Sequence, residues 1–310
     1  MFDAKQLQAL AAVLEHGSFS AAASALSITL AAVSLRIKSL ETVLAQRLLV
    51  RGKVVRATPA GQALLGHIKR VRLLESDLVA QLPSSPGAPS DASASARAHW
   101  QTLNVAVNAD SLTSWFLPGV ASVLSAHRLL LDIVVDDQDY THEALTNGDV
   151  MGCVTTLGKA MRGCIAEPLG TMRYRCVAAP KLIAQWLEKS GRVSAHQLLE
   201  YPAVIFNRKD GLQDAFLAQH LKLANPLYPR HVVPSIDGFE RALELGLGWG
   251  MVAELLLDRR QQGPALQEVL PGRTIDVALY WQHWSREPLA GQRLTQAVQQ
   301  AARARLLQLR

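Results

Sequence analysis

Residues 108 to 111, Asn-Ala-Asp-Ser, combine groups that can hold a small molecule with both a carboxylate and an ammonium group. They stand between the apolar run LNVAVN and the segment LTSWFLP, an order typical of a strand that leads into a helix. Ser111 suits the N-cap of that helix, and the first-turn amides suit a carboxylate. Asp110 can accept an ammonium group or simply cap its own helix. We predict a ligand site that includes Asn108, Asp110 and Ser111.

Acidic residues follow the next apolar run, LLLDIVVDD. Asp136 and Asp137 stand at its carboxyl end, with Asp139 close behind, and open α/β sheets bind ligands at that end of their strands. We expect an acidic wall that suits a cationic ligand, although paired acids are also common in solvated loops. Thr155, with Thr156 beside it, offers hydroxyl groups to the same rim or is an ordinary strand end.

Two later turns have the same position between strand and helix. Phe206 and Asn207 end the run PAVIFN, and Ser235 and Asp237 follow RHVVPS. We expect these turns at the ligand site, where the Phe206 ring would cover an aliphatic stem. Asp237 is equally suited to cap the helix that begins there.

These turns belong to a region of more than 200 residues that alternates strand-like and helical patterns. The order predicts an α/β domain at 99–310, built around largely parallel sheets. Its length allows two lobes, which we place at about 99–170 with 272–310, and at about 171–271.

A second kind of chemistry is predicted near the N-terminus. Phe19 to Lys38 has apolar positions at helical spacing on both sides of a short break at 27–29. This pattern predicts a helix-turn-helix, although by itself it also fits an ordinary helical hairpin. The second helix exposes Ala31, Leu35 and Lys38 opposite its apolar stripe, flanked by the side chains of residues 34 and 36.

Those exposed side chains suit duplex DNA. Ala31 and Ser34 are small enough to let the helix lie deep in the major groove, and Leu35 or Ala31 can meet a thymine methyl group. Arg36 or Lys38 can reach guanine or phosphate. The predicted contact set also includes the residues that precede the two helices, Ser18 and Thr29.

Charge favours DNA binding over the helical hairpin. Residues 1–82 hold ten Lys and Arg against five Asp and Glu, so this segment carries +5 of the formal net charge of +6. The other residues are nearly neutral in sum. A basic module beside a neutral region suits a polyanion that releases counterions on binding.

The segment RLLVRGKVVRATPAG predicts a wing, since two short β-favouring pieces flank the turn at 52–53. Arg51, Lys53 and Arg56 would contact phosphates or the minor groove, unless they are only solvated surface residues. The DNA-binding module therefore spans 1–58.

A long helix is predicted at 59–82, with Thr58 as its N-cap and Pro59 at its first position. Its apolar stripe would pack against a second copy of the chain and produce a two-fold dimer, or would pack against the first helix of its own chain. Residues 83–98 are rich in Pro, Ser, Ala and Gly, which predicts a flexible hinge.

Other classes find little support. Cys153, Cys164 and Cys176 show neither disulfide nor zinc spacing, so we interpret them as core or incidental residues, with redox sensing by Cys164 and Cys176 as the alternative. Catalytic motifs are absent from the sequence, so we expect a sensor that is not an enzyme and has neither metal nor cofactor. With no signal-like or membrane-spanning run, we expect the cytoplasm.

A resemblance accounts for these patterns together. FSAAASALSITLAAVSLRIKSLE, followed by LLVR and ATPAGQALL, resembles the N-terminal signature of LysR-type transcriptional regulators, and the likeness extends over the whole chain. It implies a winged helix-turn-helix, a long dimerising helix and a two-lobed effector domain like a type 2 periplasmic binding protein. The implied partners are double-stranded DNA, RNA polymerase, an effector and further copies as a dimer or dimer of dimers. Leu30 departs from the glutamine that is frequent in the family.

VNADSLTSWFLP and ALYWQHW are similar to the branch of this family that controls the export of basic amino acids. This likeness implies lysine or arginine, sometimes histidine, as effector and activation of an exporter gene. Three alternatives stay open: a nucleoid or replication-origin protein without an effector, a regulator that answers to another metabolite, and an enzyme with a basic appendage.

Overall fold

The computed structural model describes most of the chain and contains two hydrophobic cores, one N-terminal and one C-terminal. The described residues are 3–50, 52, 54–81, 100–135, 144–145, 148–191, 193–258 and 266–308. Several predicted features lie outside them: Arg51, Lys53, Asp136, Asp137 and the hinge at 83–98.

The N-terminal core joins three helices, α1 (Ala4–His16), α2 (Phe19–Ala25) and α3 (Leu30–Leu44). Helices α2 and α3 are bent by 108° at the turn between them, where Ser27 adopts a φ of 53°. The predicted stripe is buried, with Ala22 and Ala23 on one side of the turn and Val33, Ile37 and Leu40 on the other. The predicted helix-turn-helix is therefore confirmed.

A two-stranded antiparallel sheet follows α3. Strand β1 (Leu49–Val50) pairs with β2 (Arg56–Ala57), so that Val50 lies opposite Arg56. This is the predicted wing, with its second strand shifted toward Ala57.

Helix α4 (Pro59–Gln81) begins as predicted, because the Thr58 hydroxyl accepts a hydrogen bond from the Gly61 amide at 3.1 Å. The first half of its apolar stripe is buried in the N-terminal core, beside α1. Further along, Leu74 and Leu78 are exposed. The prediction that the whole stripe packs against a second copy of the chain is wrong for this first half, because the N-terminal core of the same chain already covers it.

The C-terminal core surrounds one mixed sheet, formed within the described residues by nine strands in the order β4-β3-β5-β11-β6-β9-β7-β8, with β10 paired to β6. Their bounds are β3 (Gln101–Ala106), β4 (Leu129–Val134), β5 (Gly152–Thr155), β6 (Cys164–Ala178), β7 (Ala203–Ile205), β8 (Arg230–Val232), β9 (Trp249–Ala253), β10 (Gln267–Glu268) and β11 (Thr274–Trp284). The α/β class with a two-lobed C-terminal domain is confirmed.

The expectation of largely parallel sheets is wrong at the centre. Strands β6 and β11 are the two longest, and they pair antiparallel with each other and with their other sheet neighbours. The first half of β6 escaped prediction because Pro168 lacks an amide proton and Gly170 adopts a φ of 132°. The pairing register shifts opposite these residues, between Leu279 and Tyr280.

Helices cover the sheet, and one of them begins at the predicted ligand site. Helix α5 comprises Ala109–Ser111, a π-helical turn Leu112–Phe116 and Leu117–His127 in continuous succession. The others are α6 (Pro180–Ser190), α7 (Ala195–Glu200), α8 (Leu212–Leu221), α9 (Ile236–Glu244), α10 (Glu254–Asp258) and α11 (Leu289–Arg305).

The cysteines do not support a redox pair. Cys164 and Cys176 lie twelve positions apart on the same strand, β6. At about 3.3 Å per residue this separates them by roughly 40 Å, whereas disulfide formation needs Cα atoms within about 7 Å.

In the part of the chain that the structure describes, no single helix is long and apolar enough to cross a membrane. The pair α2 and α3 meets that test of length and composition only jointly, across its 108° bend.

Candidate DNA-binding surface and ligand cleft

The first turns of α3 carry an exposed face of the helix-turn-helix. Leu35 is 69% exposed, and Ala31 and Lys38 are also exposed, whereas Ser34 and Arg36 are half-buried. These five predicted residues therefore occupy the surface that α3 turns away from its core.

Ser18 and Thr29 cap the two helices. The Ser18 hydroxyl accepts from the Ala21 amide at 3.2 Å, and the Thr29 hydroxyl accepts from the Ala32 amide at 3.1 Å. Caps of this kind end a helix cleanly and set its direction. Their predicted contact with DNA stays a prediction.

Two further contacts hold α3 in position. The Gln6 amide group donates to the Ser39 hydroxyl at 3.0 Å, which joins α1 to α3. The Glu41 carboxylate accepts from the Leu48 amide at 2.8 Å, which joins α3 to the start of the wing. Arg56 is exposed on β2, the second strand of the wing that this hydrogen bond joins to α3.

The C-terminal region contains a cleft of about 680 Å³. Its lining residues come from the ends of several strands and from the loops after them: Asn108, Ala109, Asp110, Val135, Thr156, Tyr174, Phe206, Asn207, Lys209, Asp210, Gly211, Leu212, Pro234, Asp276 and Val277. A cleft of this size and position is typical of a small-molecule site.

Asn108 opens helix α5 at one wall of the cleft. Its side-chain oxygen accepts from the Ser111 amide at 3.1 Å, so Asn108 is the N-cap, contrary to the expected cap at Ser111. Ser111 is buried inside the helix and does not line the cleft. The correction arises because the helix begins earlier than the sequence pattern indicated.

Asp110 is the central charged group of this wall. Its carboxylate accepts a hydrogen bond from the Tyr174 hydroxyl at 2.8 Å. The pKa of Asp110 is raised to about 6, mainly by burial and also by repulsion from Asp210 and Glu240, while the Tyr174 hydrogen bond acts to lower it. A carboxylate held with such a pKa gains from the approach of a cation.

The opposite wall is a loop that ends at α8. The Asp210 carboxylate accepts from the Phe206 and Leu212 amides, each at 3.1 Å. The Asn207 side chain accepts from the Lys209 amide at 2.8 Å. These contacts fix the loop and bring the predicted pair, Phe206 and Asn207, to the cleft.

Three predicted residues lie away from the lining. Thr155 is buried, and its hydroxyl accepts a hydrogen bond from the Leu157 amide at 3.2 Å. Its neighbour Thr156 lines the cleft instead. Ser235 and Asp237 are exposed. Ser235 accepts from the Gly238 amide at 3.3 Å and caps α9, which also corrects the expectation that Asp237 is the cap.

The sequence reasoning missed Tyr174, Asp210 and Asp276. Tyr174 and Asp276 reach the cleft from the central strands β6 and β11, and only sheet pairing shows this placement. Asp210 stood in the turn Asn-Arg-Lys-Asp-Gly after an apolar run, a signal that turn chemistry could have found.

The cleft is rich in acids. Arg173 holds Asp276 with two hydrogen bonds of 2.8 Å, which lower the pKa of that carboxyl group. Asp110 and Asp210 face the same space, together with one lysine, Lys209. Such a cleft suits a ligand that carries both a cationic group and a carboxylate. Among the described residues, no group of His, Cys, Asp and Glu is arranged to hold a metal ion.

Comparisons with known proteins match both regions of the chain. Residues 4–62 match the bacterial regulatory helix-turn-helix protein, lysR family, and residues 98–303 match the LysR substrate binding domain. The chain is 40% identical to the HTH-type transcriptional regulator ArgP of Pseudomonas aeruginosa over 92% of this chain and 90% of that protein.

Two solved structures share the fold. ArgP from Mycobacterium tuberculosis is 38% identical with a TM-score of 0.86, over 100% of both chains. Full-length LysG from Corynebacterium glutamicum with bound effector Arg is 32% identical with a TM-score of 0.76, over 98% of this chain and 99% of that one. The chain therefore belongs to the LysR family of transcriptional regulators, and within that family to the branch of ArgP and LysG.

Proposed function

We propose that this regulator binds lysine or arginine in the acid-rich cleft and, in response, activates a gene for the export of basic amino acids. The observation that carries the proposal is that Asp110 and Asp210 both line the cleft and repel each other, with Lys209 as the one cationic residue among the described lining residues. The arginine bound to the related LysG supports the same ligand class.

The ligand's two ends suit different groups. Asp110 accepts the α-ammonium group, and the amides that open α5 receive the α-carboxylate. The Phe206 ring covers the aliphatic stem, while the side-chain cation faces acids on the far side of the cleft, with Asp136 and Asp137 predicted among them.

Regulation follows from unequal binding to two arrangements of the molecule. The module at 1–58 binds operator DNA, the helix at 59–82 joins copies into a dimer or dimer of dimers, and 99–310 binds the effector. An effector that prefers one arrangement shifts the population toward it and changes DNA bending and contact with RNA polymerase. The regulator acts on the nucleoid in the cytoplasm.

Calorimetry with L-arginine and L-lysine, beside gel shifts, tests this proposal. Asp110→Ala should weaken ligand binding about tenfold or more, since a charged hydrogen bond contributes about 1.5–3 kcal/mol, and should leave DNA affinity within about twofold. Asp237→Ala is the matched control, because Asp237 is an exposed acid away from the cleft. If neither amino acid changes the affinity or bending of DNA, the proposal fails, and another metabolite or an effector-free DNA-binding role takes its place.

A further inference from the structure

Helix α3 exposes large aliphatic side chains where it faces away from its core. Leu30 is 52% exposed and Leu35 is 69% exposed, and both lie within the first six residues of the helix. At 100° per residue Leu35 lies near the middle of the exposed face and Leu30 at its edge, with Ser34 and Ala31 between them. Their side chains are not needed by the core, which Val33, Ile37 and Leu40 fill.

The same face is poor in side chains that read bases by hydrogen bonds. Residues 29–38 contain no Asn, Gln, Asp or Glu, the side chains that pair with adenine or cytosine in the major groove. The hydroxyl of Thr29 accepts from an amide of its own helix, and Arg36 is half-buried. The first acid of α3, Glu41, is bonded to the wing.

The major groove offers one apolar feature to such a surface, the C5-methyl group of thymine. The module carries an excess of positive charge, +5 over residues 1–82, so a duplex is the occupant that its charge favours. In helix-turn-helix proteins the residues at the start of the second helix contact base edges. Leu30 and Leu35 occupy that part of α3.

We propose that Leu30 and Leu35 determine the DNA sequence preference of this regulator by packing against thymine methyl groups. The inference rests on the proposed function, in which the module at 1–58 binds operator DNA, and it adds that α3 enters the major groove. Specificity then comes mainly from apolar contact, while Lys38 and Arg56 contribute affinity through phosphates.

The test removes only the methyl groups. A duplex site is first selected from a random pool with the full-length protein, and each thymine in it is then replaced by deoxyuridine. Covering one methyl group is equivalent to about 0.8 kcal/mol, so each contacted thymine should weaken binding about fourfold when its methyl is removed. Fluorescence anisotropy at fixed salt measures the dissociation constants of the uracil and thymine duplexes, and their ratio is the thymine-to-uracil ratio at that position.

Protein variants distinguish a lost contact between leucine and a thymine methyl group from an effect of uracil on the flexibility of the DNA. Leu35→Ala and Leu30→Ala should each bring the thymine-to-uracil ratio at one position close to 1, and alanine preserves the helix. Val43→Ala is the matched control, because Val43 is 67% exposed near the other end of α3, and it should keep every ratio.

Two results would overturn the inference: uracil sites that bind within twofold of thymine sites, or ratios that survive in both leucine variants. A selection that yields no preferred sequence would overturn the proposed function itself, and this inference with it.

Discussion

At the scale of single residues, Asp110 has a structural cost that fits the ligand-binding role proposed for it. Its carboxylate accepts a hydrogen bond from the Tyr174 hydroxyl, and its pKa is raised to about 6, mainly by burial and also by two further acids, so the folded protein disfavours the charged form. Burial raises the pKa of Tyr174 as well, so this hydroxyl stays a hydrogen-bond donor. A cation bound beside Asp110 would stabilise the ionised carboxylate, which the unliganded site disfavours.

The affinity for arginine should therefore depend on pH. The ionised form of Asp110 binds the cation, and a carboxyl group with a pKa near 6 is mostly protonated at pH 5, so affinity should fall about tenfold between pH 8 and pH 5. Calorimetry across this range measures the change, since arginine keeps its own charges throughout. Asp110→Asn should bind weakly and without this dependence; a flat profile in the natural chain contradicts the assignment.

The same residue should lower the stability of the unliganded protein at neutral pH. A carboxyl group whose folded pKa is raised destabilises the fold progressively as the pH rises from its usual pKa of 3.8 to its folded pKa of about 6; the full cost applies above about pH 6 and is absent below about pH 4. Asp110→Asn should then gain roughly 1 kcal/mol at pH 8, allowing for solvent screening, or about 2–4 °C in melting temperature. The gain should shrink toward pH 5. An equal gain from the exposed Asp237→Asn would refute the explanation.

At the scale of elements, α4 has two halves with different partners. Leu64, Leu65 and Ile68 are buried beside α1, and Arg72 pairs with Glu15 at 2.7 Å. The helix continues past that core with exposed Leu74 and Leu78. One sequence pattern therefore serves first the fold of the module and then, we propose, its pairing with a second copy.

Replacing Leu74 and Leu78 together by Ser should shift the protein toward monomers. Each leucine buried in an interface contributes about 1.5–3 kcal/mol, so the dissociation constant of the dimer should rise tenfold or more. Sedimentation velocity measures the assembly, with Leu227→Ser, a change at a 96% exposed leucine, as control. An unchanged distribution of species would show that other surfaces hold the copies together.

At the scale of the whole molecule, α4 also touches the C-terminal domain. Asp149 accepts a hydrogen bond from Gln62 and lies 3.8 Å from the Lys69 ammonium group. The Arg70 guanidinium lies over the Trp284 ring, 5.2 Å from its centroid. Asp149 precedes β5, and Thr156, just after that strand, lines the cleft. The two ends of one short strand thus join the cleft, which we propose binds the effector, to the helix that follows the helix-turn-helix module.

Breaking this contact should uncouple the two sites. Asp149→Ala should leave arginine affinity within about twofold, because Asp149 is outside the cleft, but should reduce the effect of arginine on DNA binding. Small-angle scattering should also report a larger radius of gyration. Asp132→Ala, a change at an exposed acid on β4, is the control and should alter neither. Full coupling in the Asp149 variant would contradict this route.

Sequence reasoning predicted local features well. The helix-turn-helix stripe, the wing and the Thr58 cap each depend on residues a few positions apart, and each is present. It failed at β6, where Pro168 and Gly170 hide a long strand, and at Ser235 and Asp237, which have the right turn but lie outside the cleft. Each of those errors concerns contacts between segments that are far apart in the sequence.

Local sequence patterns were enough to predict a basic helix-turn-helix module followed by an α/β domain, because spacing, capping and charge act over short stretches of chain. The cleft could be seen only in the folded chain, since Tyr174 meets Asp110 across 64 residues and Asp276 meets Arg173 across 103. Such contacts depend on strand order and register, which bring remote residues together and which no local pattern of side chains specifies.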